Sequence, residues 1–162
     1  MKNRCWSILR PTRYMCHRVF VYGTLKRFEP NHHWLTNPEN GEGRFYAAGV
    51  TLTKYPLIIA TKYNIPFLLQ SPGDGCHVKG EVYEVDDKML LKLDMLEDHP
   101  KYYTREVDYI IKETVQCWVY FLKNFRPELV LIYKCFNGVV SEYFDTFSIR
   151  TIIPDSDLIH IY

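Results

Sequence analysis

No acidic residue precedes Glu29, no CxxC pair occurs, and no apolar run approaches the ~20 residues of a membrane span. The cysteines (Cys5, Cys16, Cys76, Cys117 and Cys135) are odd in number. That reads as reduced thiols in a cytoplasmic protein rather than a disulfide framework or a zinc site. The six histidines (His17, His32, His33, His77, His99 and His160) include no HExxH and no ligand spacing on one element, so no metal is expected. No GxSxG elbow exists, and Gly73-Asp74-Gly75 lacks the rest of any phosphate-binding loop. Charge of one sign is also missing: 20 Lys and Arg face 19 Asp and Glu, for a net charge of +1. Nothing electrostatic argues for nucleic acid or an anionic membrane surface.

What remains is a chain of 162 residues, long enough for one domain with its own core. Its 47% hydrophobic and 24% charged residues are ordinary for a globular protein, and 13 Tyr with 9 Phe lean toward strands. Residues 1–17 carry Lys2, Arg4, Arg10 and Arg13 without an acid, and Pro11 interrupts any helix. They are expected as a flexible leader, with a transit peptide as the competing reading.

Residues 18–25 read as a strand, and residues 28–43 as an irregular connection punctuated by Pro30, Pro38, Gly41 and Gly43. Short strands are expected at 45–52, 57–60, 66–70 and 78–85, with Gly80 at a bulge. Pro66 interrupts a strand, and the Ile65–Pro66 bond is expected to be cis. Asp86 and Asp87 then offer N-caps, and Met89, Leu90, Leu93 and Leu96 recur at helical spacing. His99-Pro100 disfavours the α conformation at residue 99, which ends this helix near Glu97. Residues 102–111 alternate as a strand, and Lys112-Glu113-Thr114 turns the chain into another over 115–122. The expected fold is α+β: a small, partly closed, mainly antiparallel β-barrel with flanking helices.

Two places can carry chemistry. The run Val19-Phe20-Val21-Tyr22-Gly23-Thr24-Leu25-Lys26 drives an apolar strand into Gly-Thr. Gly23 can take a φ > 0 or otherwise tight conformation there. The backbone N–H groups of Gly23, Thr24 and Leu25 can then converge as a nest for a carboxylate or phosphate. A plain turn is the alternative. Glu97 is the acid that stands out, because Leu90, Leu93 and Glu97 fall at i, i+3 and i+7 on one stripe. A carboxyl on an apolar stripe is desolvated, its pKa rises, and it suits general acid/base work. The open alternative is a frayed helix end, with Glu97 in water or paired with His99. Arg105, on a tyrosine-rich strand, reads as an ion-pair or stacking residue.

The segments VFVYGTLKR (19–27), PNHHWL (30–35), YPLIIA (55–60), NIPFLL (64–69), GEVYEVD (80–86), LKLDMLED (91–98) and YYTREV (102–107) stand in one characteristic order. In them the chain resembles the γ-glutamylcyclotransferase-like family, most closely its γ-glutamylamine cyclotransferase branch, over residues 18–121. The resemblance implies a barrel whose cavity holds a γ-glutamyl group. Tyr22, Gly23, Thr24 and Leu25 would bind the α-carboxylate, and Glu97 would be the acid/base. It implies release of 5-oxoproline and a free amine, from substrates such as the γ-glutamyl-ε-lysine amides of degraded cross-links, with no cofactor. Phe28-Glu29 and the tail over 122–162 depart from the family pattern. A non-catalytic binding or partner-interaction protein on the same fold, or a cyclotransferase for another γ-glutamyl substrate, are the other two readings.

Overall fold

The computed structural model describes residues 17–60, 65–111, 114–125 and 127. The expected leader lies outside them except for His17, which opens a strand instead, and so does most of the expected tail. The elements are β1 (His17–Val21), α1 (His33–Thr36), β2 (Gly43–Tyr55), β3 (Leu57–Ala60), β4 (Ile65–Leu68), β5 (Cys76–Val85), α2 (Asp87–Leu96), β6 (Tyr103–Ile111) and β7 (Val115–Leu122). Five strands form a closed barrel in the order β1-β5-β2-β6-β7, and β3 pairs with β4 as a separate two-stranded sheet. Four of the barrel's pairings are antiparallel. The fifth is a parallel contact of β1 with β7 at Val19 and Trp118, and it completes the closure. Closure is thus fuller than expected, because a single pairing between the two ends of the fold leaves no local pattern.

Alternation along the strands sends side chains to two cores. Phe20, Val78, Val82, Ile110, Cys117, Val119 and Phe121 share one. Val19, Val21, Tyr83, Val85, Tyr103, Tyr120 and Leu122 share the other with Met89, Leu90 and Leu93 of α2. No helix fits inside five strands, so the second core is the barrel's outer face covered by α2. Met89 and Leu93 are both 0% exposed, and burying each such side chain contributes ~1.5–3 kcal/mol. Asp86 caps the helix, its Oδ1 accepting the Met89 N–H at 2.7 Å.

Several local expectations change. A one-turn helix, α1, stands within the stretch read as irregular. Gly80 pairs in register with Gly49, and the register shifts fall between Phe45 and Ala47 and between Val50 and Lys54 of β2. The cis X–Pro bond among the described residues is His99–Pro100, not Ile65–Pro66. Cys117 is free and buried, but Cys76 is disulfide-bonded. An odd cysteine count excludes complete pairing, not a single bridge.

Candidate active site

β1 stops at Val21 and the chain turns through Tyr22–Leu25. The carbonyls of this turn are taken: Lys26 N–H donates to Gly23 at 3.2 Å and Asn31 N–H to Thr24 at 3.0 Å. The Asn31 side chain also donates from Nδ2 to Thr24 Oγ1 at 3.0 Å, and His32 Nδ1 lies 3.0 Å from the Leu25 carbonyl. Among the hydrogen bonds of the described residues, none is donated by the backbone N–H of Gly23, Thr24 or Leu25. Buried N–H groups are seldom left unpaired, which makes these three donors candidates for the oxygens of an anion. Gly23 is required here for space rather than for its φ, since the positive-φ glycines are Gly41, Gly73 and Gly75. A Cβ on Gly23 would stand 2.6 Å from Pro66 Cγ of β4.

Glu97 follows the last residue of α2, its N–H donating to Leu93 at 2.9 Å while its carbonyl accepts from Tyr103 at 3.3 Å. Asp98 then reverses the chain at φ 47°. The helix end is therefore pinned, not frayed, and no pair forms with His99. Burial pushes the Glu97 carboxyl up to about 7. The residue as a whole keeps some exposure. The two facts agree for a residue whose carboxyl is surrounded by protein atoms while other atoms of it reach solvent. Among the described residues no hydrogen bond or ion pair reaches that carboxyl.

Tyr22 joins the two halves. Its pKa is raised, first by burial and then by the charge of Glu97, which puts the phenol close to that carboxyl. Its hydroxyl donates to the backbone carbonyl of Tyr120 at 2.9 Å. Tyr120 of β7 is raised by burial first, then by Asp94, with Glu97 also contributing. Its hydroxyl donates to Asp94 Oδ1 at 2.7 Å. Arg105 Nη1 lies 3.0 and 2.8 Å from the two Asp94 oxygens, and the guanidinium stands 4.8 Å over the Trp118 ring. Arg105 is thus an ion-pair and stacking residue, as its strand position suggested.

The structure brings Tyr22, Gly23, Thr24, Leu25 and Glu97 to one end of the barrel, with Leu25 and the α2 leucines in one core. It adds Tyr120 and Asp94, which sequence reasoning missed. Asp94 could have been found as the other acid of Leu93-Asp94-Met95-Leu96-Glu97; nothing local marked Tyr120 among 13 tyrosines. Phe28 is 96% exposed and turns away into solvent, while Glu29 is buried. A groove of about 360 Å³ lies elsewhere, lined by His17, Arg18, Glu84 and Trp118 among others, and contains none of these site residues. Among the described residues no helix is long and apolar enough to cross a membrane, and no three His, Cys, Asp or Glu side chains gather as a metal site.

Comparison with known proteins agrees with this architecture. The human protein named γ-glutamylaminecyclotransferase is 45% identical over 124 residues, covering 68% of this chain and 81% of that protein. The Drosophila melanogaster Troponin C-akin-1 protein is 50% identical over 117 residues, covering 70% of each. The crystal structure of a mouse AIG2-like protein superposes with a TM-score of 0.70 at 40% identity, covering 75% of this chain and 86% of that one. The family model described as gamma-glutamyl cyclotransferase, AIG2-like, matches residues 19–135. The chain belongs to the AIG2-like γ-glutamyl cyclotransferase family.

Proposed function

We propose that this enzyme is a γ-glutamylamine cyclotransferase with Glu97 as its general acid/base and the Tyr22–Leu25 backbone as its carboxylate site. The observation that carries the reading is a carboxyl of pKa about 7, reached by no hydrogen bond among the described residues, beside the tyrosine that leads into three free amides. The substrate's α-carboxylate accepts from the Gly23, Thr24 and Leu25 amides, which folds the γ-glutamyl chain back on itself. The α-ammonium gives a proton to ionised Glu97, and the freed amine attacks the δ-carbonyl. Holding that near-attack geometry is where the rate gain of an intramolecular reaction arises. As the tetrahedral centre collapses, the C–N bond to the leaving amine breaks, that nitrogen takes a proton from Glu97, and the extra proton of the attacking nitrogen passes through the same carboxylate to the departing amine. The products are 5-oxoproline and an amine released as its ammonium, and Glu97 is ionised again. A pKa near the working pH lets one group serve as base and then acid.

The leaving amine is proposed to be lysine released from γ-glutamyl-ε-lysine, and the compartment the cytoplasm, against which the Cys76 disulfide weighs. Purified protein should form 5-oxoproline from γ-glutamyl-ε-lysine faster than from γ-glutamyl amino acids or glutathione. Preference for another member of that panel would change the substrate. Turnover of none, with 5-oxoproline still bound, would favour a binding role.

A further inference from the structure

Asp94, in the last turn of α2, and Glu97, its C-cap, stand three residues apart, a spacing that makes their side chains neighbours. Their surroundings are opposite. The Asp94 carboxylate receives the Tyr120 hydroxyl at 2.7 Å and Arg105 Nη1 at 3.0 and 2.8 Å. Among the described residues the Glu97 carboxylate receives nothing. Among the described residues, the tyrosine hydroxyls and the guanidinium that share this cluster are hydrogen-bonded to groups other than Glu97. Tyr22, at the end of β1, donates to the Tyr120 carbonyl. Tyr120, from β7, donates to Asp94, and Arg105, from β6, is paired with Asp94. His99, beyond the helix, has Nδ1 against the Tyr103 carbonyl and the Arg105 N–H, with its ring 6.4 Å from that of Tyr120.

We infer that Asp94 is a positioning residue: by holding the Tyr120 hydroxyl hydrogen and the Arg105 guanidinium, it keeps both from the Glu97 carboxylate. The inference rests on reading Glu97 as the acid/base. Hydrogen bonds to an ionised carboxylate favour the charged form and make it a weaker base. Tyr120 is only 4% exposed, so without Asp94 its hydroxyl would be a buried donor lacking an acceptor. The acceptor one helical turn away is Glu97.

The test is a carboxyl NMR titration of protein labelled at glutamate side chains, without substrate, the Glu97 signal being assigned by its loss in Glu97→Gln. Asp94→Ala is expected to lower the Glu97 midpoint by about one unit, and to move the acid limb of kcat/KM by the same amount. Adding Tyr120→Phe should restore at least half of that shift. Tyr120→Phe alone should leave the midpoint within about 0.3 units, because its hydroxyl does not serve Glu97 in the parent. An unmoved midpoint in Asp94→Ala overturns the inference, and so does a shift that the double variant keeps in full. A rise of about one unit in Tyr120→Phe alone also overturns it, and that conservative variant decides the matter if Asp94→Ala does not fold. Turnover by Glu97→Gln tests the underlying reading separately: an active Gln variant with the expected midpoints would remove Glu97 from the mechanism and leave the positioning claim standing.

Discussion

In the proposed site the loop after β1 presents backbone amides, whereas the residue that caps the end of α2 presents a single side chain. Gly23, Thr24 and Leu25 offer three N–H groups whose direction is set by where the chain goes, through the Asn31 and Lys26 hydrogen bonds. Glu97 offers one carboxyl whose proton affinity is set by what surrounds it. The first half should therefore tolerate side-chain change except where a Cβ moves the chain. The second should fail when one functional group is exchanged and the shape kept.

The largest effect is expected from Glu97→Gln, which keeps size and removes proton exchange. Turnover of γ-glutamyl-ε-lysine should fall by ~10²-fold or more, and retention of over a tenth of parent activity would take Glu97 out of the proposed role. The same variant should also gain stability relative to the parent as pH rises. The folded-state value of about 7 lies above the ordinary 4.5, so the folded protein holds this proton more tightly than the unfolded chain. The contribution is full below the unfolded value and is lost as pH rises through the folded one. Between pH 5 and pH 8 the Gln variant should thus gain on the parent by on the order of 2 kcal/mol, discounted for the exposure that the residue keeps. Denaturant melts at both pH values would measure it.

Next in size is the pH profile of the parent. In the proposed cycle Glu97 starts as a base, so activity would need its ionised form, and the acid limb of kcat/KM should sit near the carboxyl's value of about 7. Below it, each pH unit should remove about tenfold. The acid limb of kcat should lie higher still, because bound substrate adds a negative carboxylate nearby. A limb of kcat at or below ~4.3 would describe a solvated acid.

Gly23→Ala tests the other half at its sensitive point. The added methyl meets the rigid Pro66 ring at 2.6 Å, and overpacking of this kind costs about 1–3 kcal/mol. An ångström of loop displacement should cost ~10-fold or more in kcat/KM. Thr24→Ala should do least: it removes the Asn31 Nδ2 bond, worth ~0.5–1.5 kcal/mol of stability, and leaves the amide in place. A Thr24→Ala loss as deep as that of Glu97→Gln would mean that side chains, not amides, build this end of the site. Crystals soaked with 5-oxoproline give the direct view, with its carboxylate expected ~2.7–3.2 Å from the loop amides.

Much of this was legible in the residues. Leu57–Ala60 and Val115–Leu122 stand where patterning placed them, and Asp86 caps α2 as its position before the leucine stripe suggested. The stripe also put Glu97 against apolar surface, which is why its raised pKa could be anticipated. Partners distant in sequence were not legible. The Val19–Trp118 closure and the Tyr22–Tyr120 bond each join residues about a hundred positions apart. The reason for Gly23 was hidden for the same cause, since the obstacle is Pro66 on another strand rather than a local φ. The unforeseen α1 is a single turn whose N-cap residue, His32, makes no capping side-chain hydrogen bond.

The parallel contact that closes the barrel has a topological consequence. Because β1 and β7 run the same way, the chain leaves both strands at the same rim. The exit from β1 is the loop proposed to bind the carboxylate, so the exit from β7 at Leu122 lies on the same side as that site, with Phe125 packed on the core. Whatever follows that exit begins at that rim. Insertions, truncations or fused tags just past residue 125 should therefore alter which leaving amines are admitted more readily than equal changes made at the β5–α2 junction.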